Sequence, residues 1–263
     1  MNYLDLLKLN TNYSKVFDNV LKENLENCKN IYITECAQNV SRLYASKMFL
    51  EKKQNIVYVT PTIYDASRAY EALCEMVGTD NVSFFPVEEF ISSELVATSE
   101  AFRLARMLTI YSILENVPKI IVTNTEGLVR QLMSKDKLQQ AVLKIKVNDI
   151  LNRDELIESL VIRGYKKVAI TSTSGTFSIR GSLIDVFPIN EDTAYRISFF
   201  DDEVEVIKTI DIETQMSTGK QNSVEIFPLH EVFYAQSDVN TIKSKILKDF
   251  TINDRIKFVI ESL

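Results

Sequence analysis

An arginine and an aromatic ring on one side of a strand are the residues here best suited to recognition chemistry. They are Arg196 and Phe200, within Tyr195-Arg-Ile-Ser-Phe-Phe200. The stretch alternates with period two, so Tyr195, Ile197 and Phe199 share one face while Arg196, Ser198 and Phe200 share the other. The first face is apolar and belongs on a core. The second carries a cation, a hydroxyl and one ring that looks out of place beside Asp201, Asp202 and Glu203. An exposed ring next to an arginine is a pairing enriched at interaction surfaces. Single exposed apolar residues are also common, and a Phe200 tucked under a neighbouring loop fits the same pattern.

Catalytic chemistry finds little support elsewhere. The single histidine, His230, sits in Phe227-Pro-Leu-His-Glu231 with no nucleophile elbow nearby. The three cysteines, Cys28, Cys36 and Cys74, form no C-x-x-C pair and no zinc cluster. Scattered, odd-numbered thiols read as a reducing, cytosolic compartment. No metal and no cofactor is expected. Glu88, Glu89 and Glu94 lie on a long acidic loop from Phe85 to Ser99 without the spacing of an acid/base pair, and the simplest reading is a crossover packed by Phe90 and Leu95. Arg103 and Arg106 on the following helix read as a solvated face.

The turn after the first strand, Thr34-Glu-Cys-Ala-Gln-Asn-Val-Ser41, stands where an α/β domain holds phosphate. A P-loop needs glycines to curl backbone N–H groups around the anion, a lysine for the outer phosphates and a Ser or Thr for Mg²⁺. No glycine precedes Gly78, the lysine slot is Val40, and Glu35 adds negative charge where an anion would sit. Only Ser41 fits. Neither a P-loop nor a G-x-G-x-x-G fingerprint can be built.

The elements behind these residues divide into two patterns. The 263 residues, 46% hydrophobic and 25% charged, suit about two globular domains, and a net charge of −6 argues against a chain-wide nucleic-acid footprint. Short helices are expected over Leu4–Leu9 and Ser14–Leu25, then a strand over Asn30–Thr34. Helices over Gln38–Lys53, Tyr64–Val77 and Ser99–Leu114 alternate with strands over Asn55–Thr60, Asn81–Phe85 and Lys119–Asn124, the layout of a parallel sheet covered on both faces. From Leu143 the pattern becomes α+β and mostly antiparallel. A strand over Leu143–Val147 puts lysines on its wet face, and Asn152 caps a helix that Gly164 ends. A strand over Lys167–Thr171 and a hairpin-like pair over Gly175–Pro188 follow. Gln221–Pro228 reads as a strand returning toward the first domain, and a helical pattern runs over 238–263. Its uncapped apolar end suggests that the natural polypeptide continues. No apolar run is long enough for a membrane span, so no membrane partner is expected.

Several blocks, in order, resemble the UvrB-homology module at the N-terminus of bacterial transcription-repair coupling factors (the Mfd family). They include Phe85-Pro86 with its acidic loop, Ile120-Ile-Val-Thr-Asn-Thr-Glu-Gly-Leu128 and Arg163-Gly-Tyr165. The two most specific are Gly175-Thr-Phe-Ser-Ile-Arg-Gly-Ser-Leu-Ile-Asp-Val-Phe-Pro188 and Tyr195-Arg-Ile-Ser-Phe-Phe-Asp-Asp-Glu-Val-Glu205. The excision-repair helicase UvrB shares the blocks but keeps a P-loop, and the missing Walker A loop separates the two relatives.

The resemblance implies a fold, a division and a site. The fold is α/β: a degenerate helicase-like (P-loop-type) parallel-sheet domain over 1–124, to which 218–263 returns, and a smaller α+β UvrA-binding domain over 125–217. The implied function is a non-catalytic adaptor that binds UvrA and recruits nucleotide excision repair to stalled RNA polymerase. Contacts with RNA polymerase and DNA, and an ATP-dependent translocase motor, would belong to the longer native chain. The family's UvrA-contacting arginines match Arg180 and Arg196, and its phenylalanine matches Phe200. For Arg180 a turn-stabilising pair with Asp185 or Asp201 is the alternative. For the whole chain the alternative is an ATP- or DNA-binding lobe of a UvrB-like helicase.

Overall fold

The computed structural model describes residues 37–88, 100–231 and 236–249. The expected helices and strand before residue 37, most of the acidic loop, and the tail beyond 249 lie outside the described residues. So do Cys28, Cys36, Phe90 and Leu95.

The first unit alternates as its periodicity predicts. Helix α1 (Gln38–Lys52) is followed by β1 (Ile56–Thr60), α2 (Ile63–Val77), β2 (Val82–Phe85), α3 (Glu100–Leu114) and β3 (Ile120–Asn124). The Thr62 side chain caps α2 by accepting from Asp65 N, and Gly78 ends it at φ 89°. The three strands form a parallel sheet in the order β1-β3-β2. All of β3 is buried, as the central strand of a covered sheet should be. Phe49, Leu73, Ile120 and Val122 pack one core.

Two short helices, α4 (Thr125–Val129) and α5 (Lys135–Ala141), lead into the second unit. It comprises β4 (Leu143–Lys146), α6 (Arg153–Ile162), β5 (Lys166–Lys167), β6 (Thr176–Arg180), β7 (Leu183–Phe187), β8 (Ala194–Phe200), β9 (Glu203–Ile210), β10 (Ser217–Gln221) and β11 (Ser223–Ile226). Six strands form a sheet in the order β10-β9-β8-β7-β6-β5, antiparallel except for β5 with β6. β11 pairs with β4, where Ile145 is buried while Lys144 and Lys146 are exposed. Asn152 Oδ1 accepts from the backbone N–H groups of Asp154 and Glu155, capping α6 as its sequence foretells. Helix α7 (Gln236–Asp249) follows.

The inner face of the six-stranded sheet meets α6 and the β4–β11 pair. Ile184, Ile197, Ile207, Phe177, Leu156 and Leu160 are all fully buried there. Each contributes about 1.5 to 3 kcal/mol by leaving water. A third cluster joins the units: Met107, Ile110 and Tyr111 of α3 pack with Leu138, Ile189 and Phe227. Among the described residues no helix is long and apolar enough to cross a membrane.

Three expectations need correction. The strand over Lys167–Thr171 reduces to Lys166–Lys167. Val168 N still donates to Phe177 O, but Thr171 then turns its hydroxyl onto Ser178 Oγ, so the chain folds over the sheet instead of lengthening its edge. The strand near Gln221–Pro228 pairs with β4 over Ser223–Ile226 and reaches the first unit only afterwards, where Tyr111 OH donates to Pro228 O. Arg106 is not solvated. It is 2% exposed, donates to Pro86 O at 2.8 Å and pairs with Glu231, which Arg130 also grips at 2.6 Å. The helical repeat put Arg106 beside apolar neighbours, and its counter-charge lies 125 residues away.

Candidate protein-docking face

Strand register places the two arginines and the ring on one face. Arg180 lies opposite Leu183, which lies opposite Ser198; Asp185 lies opposite Arg196. Since Ser198, Arg196 and Phe200 share a face, Arg180 joins them on the side away from the main core. Neighbouring strands are about 4.8 Å apart and residues two apart on a strand about 6.8 Å, so the patch spans roughly 12 Å.

This outer face is half covered. Thr171 lies over Ser178 and Asp185, bonding Ser178 Oγ at 3.0 Å and Asp185 O at 3.3 Å. Gln215 Nε2 donates to Thr171 O at 3.2 Å, joining the loop before β6 to the loop before β10. Under them Ser178, Asp185, Phe187, Ala194 and Ile210 are buried. Beyond this cover the face is open, and there Arg180 and Phe200 are exposed.

Each of the three residues has a distinct setting. Arg180 ends β6 beside the Gly181-Ser182 turn, and its side chain has no hydrogen bond or ion pair among the described residues, so the pairing with Asp185 or Asp201 does not form. Asp185 is taken by Arg196. Arg196 Nε donates to Oδ1 and Nη2 to Oδ2, both at 2.7 Å, and Nη1 reaches Gln215 O at 3.5 Å. The side chains are 16% and 2% exposed, so the pair is largely buried. Hydrogen bonding to Asp185 raises Arg196 above its ordinary value. Phe200 is 70% exposed, and of the two readings open for it the exposed one is observed.

Local geometry explains that exposure. Phe200 and Glu203 close a two-residue turn in which Asp201 sits at φ 50°, a conformation Asp tolerates. A bulge follows: Ser198 pairs with Val206 but Phe199 with Val204, leaving Glu205 extra. Both Phe199 and Val204 still point into the core, and the strand end twists. The turn is pinned by Leu151 N donating to Asp202 O at 2.7 Å. Ile150 bridges to Glu203, the residue opposite Phe200, and is 86% exposed. Sequence reasoning missed Ile150 and the role of Asp185, which follows from the β7–β8 register that sets Asp185 opposite Arg196.

Other candidate chemistry is engaged structurally. Ser41 Oγ donates to Gln38 O and shares a hydrogen with Tyr58 OH at 2.7 Å. The His230 ring lies against Gly164, where any Cβ would collide, and burial followed by Arg103 lowers its pKa. Cys74 is a free thiol whose pKa is raised by burial. Among the described residues no cluster of three or more His, Cys, Asp or Glu could hold a metal.

Residues 143–232 match the family model of the UvrB interaction domain, an interaction domain and not a helicase motor. The chain is 26% identical over 230 residues to the transcription-repair-coupling factor of Bacillus subtilis (strain 168), covering 88% of this chain and 20% of that protein. With that of Staphylococcus epidermidis (strain ATCC 35984) it shares 24% over 222 residues, 84% of this chain and 19% of the relative. With that of Staphylococcus aureus (strain bovine RF122) it shares 23% over 217 residues, 82% and 18%. The chain spans about a fifth of the length of these curated relatives. The resemblance read from the sequence is thereby borne out: residues 143–232 match a UvrB interaction domain, and most of the chain is similar to transcription-repair-coupling factors.

Proposed function

We propose that the open outer face of the second unit's sheet docks UvrA, and that the chain serves as a non-catalytic adaptor in transcription-coupled repair. The observation that carries this is Phe200, 70% exposed on the same face as an unpaired Arg180. A ring fills a small pocket on the partner while a guanidinium forks onto a carboxylate beside it. Arg196, held by Asp185, fixes the strand pair under the patch and presents its remaining edge at the rim. The site is thus Arg180, Arg196 and Phe200.

The first unit acts as a degenerate helicase-like lobe, a mount without catalysis. Its sequence lacks a Walker A loop, and the hydroxyl of Ser41, the one residue that fits such a loop, already bonds Tyr58 and Gln38. RNA polymerase and DNA are partners of the longer native protein, in the cytoplasm. Mixing purified UvrA with the 263-residue chain should give a co-eluting complex on size-exclusion chromatography. Separate elution at micromolar concentrations removes the reading.

A further inference from the structure

A cavity of about 320 Å³ opens between the two units, with charged groups of both at its wall. Arg103 and Glu100 come from the first turn of α3, and Lys166 from β5. Lys166 Nζ lies 2.9 Å and Arg103 Nη2 3.8 Å from the same oxygen, Glu100 Oε1. Two cations therefore share one carboxylate, leaving the cluster with a positive excess. The first turn of a helix adds further positive potential.

The facing wall is the loop Thr171-Ser-Thr-Ser-Gly-Thr176. Thr173, Ser174 and Thr176 line the cavity. Their hydroxyl contacts are local: Thr176 Oγ1 donates to Thr173 O, and Ser174 Oγ makes a long bond of 3.3 Å to Pro188 O. Hydroxyls so placed rotate readily to donate to a new acceptor. Gly175, at φ 79°, lets the loop turn tightly where a side chain would press on Leu229. Leu104, Ile189 and Leu229 give the cavity an apolar floor.

We infer that this cavity is a binding site for a small phosphate-bearing ligand, held by Arg103, Lys166 and the hydroxyls of Thr173, Ser174 and Thr176. Cations, rotatable hydroxyls and a helix start around one concave space suit a phosphate group, and clefts between units are a favoured place for small ligands. Glu100 holds the two cations together when the site is empty and competes with the incoming anion. The site lies apart from the docking face and stands independently of the UvrA reading.

The test is calorimetric titration of the 263-residue chain with inorganic phosphate and, separately, with adenosine monophosphate, at ionic strength matched with chloride. Saturable binding is expected. Lys166→Gln and Arg103→Gln should each weaken it about tenfold, the loss of a charge-assisted hydrogen bond. Glu100→Gln should tighten it several-fold, because the competing carboxylate is gone. Lys144→Gln, which removes an exposed lysine paired elsewhere with Glu225, should change nothing. Tighter binding of the monophosphate marks a phosphate ester as the ligand; equal binding marks the free anion. These side chains are exposed or partly so, and circular dichroism will verify that the variants fold. No saturable binding of either probe overturns the inference, and so does unaltered affinity in both Lys166→Gln and Arg103→Gln.

Discussion

Arg196 grips Asp185 across β7 and β8 with two parallel hydrogen bonds of 2.7 Å, at the boundary between the covered and open halves of the sheet. A fork of this kind fixes planar geometry as well as distance. It also explains why Arg180, on the neighbouring strand, is left without a carboxylate.

The first prediction concerns that pair. Asp185→Ala leaves a largely buried guanidinium without its counter-charge and should cost about 2 to 3 kcal/mol in urea denaturation, below the cost at a fully dry site because Arg196 keeps some solvent access. Asp185→Ala should also weaken UvrA binding, although a carboxylate 2% exposed cannot reach a partner. A double-mutant cycle with Arg196→Ala should return a coupling of about 1 to 3 kcal/mol. Additive losses would mean that the pair does not hold the strands.

Opposite behaviour is expected at the open end. Phe200→Ala removes a ring that is mostly in water, so stability should stay within about 0.5 kcal/mol of the parent. Arg180→Ala should be equally silent in denaturation. A marked drop in the urea midpoint for either would place these side chains in the folding energetics instead of on a free surface.

The clasp around Glu231 makes a third prediction. Arg106 from α3 and Arg130 from the connector converge on its two oxygens, while Tyr111 OH donates to Pro228 O. Glu231→Ala strands the buried Arg106 and should cost about 3 to 5 kcal/mol. Tyr111→Phe should cost only about 1 kcal/mol, one hydrogen bond. Equal effects from the two would contradict the ranking of charge over hydrogen bond.

Alkali supplies a fourth. Burial pushes the Tyr195 phenol up to about 12, helped by its hydrogen bond to Glu191, and burial raises Tyr111 and Tyr165 further. An unfolded phenol titrates near 10, so the folded state holds these protons longer. Their stabilisation is complete below about pH 10 and falls as pH rises from there, the Tyr195 share being lost through about 12 and the other two continuing to more alkaline pH. Tyr195 alone should account for about 1 to 2 kcal/mol after solvent screening. Tyr195→Phe should flatten the decline; an unchanged slope would remove Tyr195 as its cause.

Much of this was legible in local pattern, and the misses share a cause. The period-two alternation of Tyr195 to Phe200 sorted core from outer face, and the Asn152 cap and Gly78 stop were visible from residue type. In β9 the buried residues Val204 and Ile207 are three apart, because the bulge at Glu205 breaks the alternation, and no single-strand pattern reveals it. The burial of Arg106 depends on Glu231, and the shortness of β5 on Thr171 reaching Ser178. Each is a long-range or cross-strand partnership, invisible to spacing along one segment. Arg180 shared this difficulty: its face follows from register across two hairpins, and from sequence it stood only on the family resemblance.

The central claim is tested most directly by the affinity of UvrA for the 263-residue chain and for its Phe200→Ala and Arg180→Ala variants, measured by titration calorimetry at one salt concentration. Each variant should bind about 1 to 3 kcal/mol more weakly while unfolding at the parent's urea midpoint. Parental affinity in both variants would contradict docking on this face.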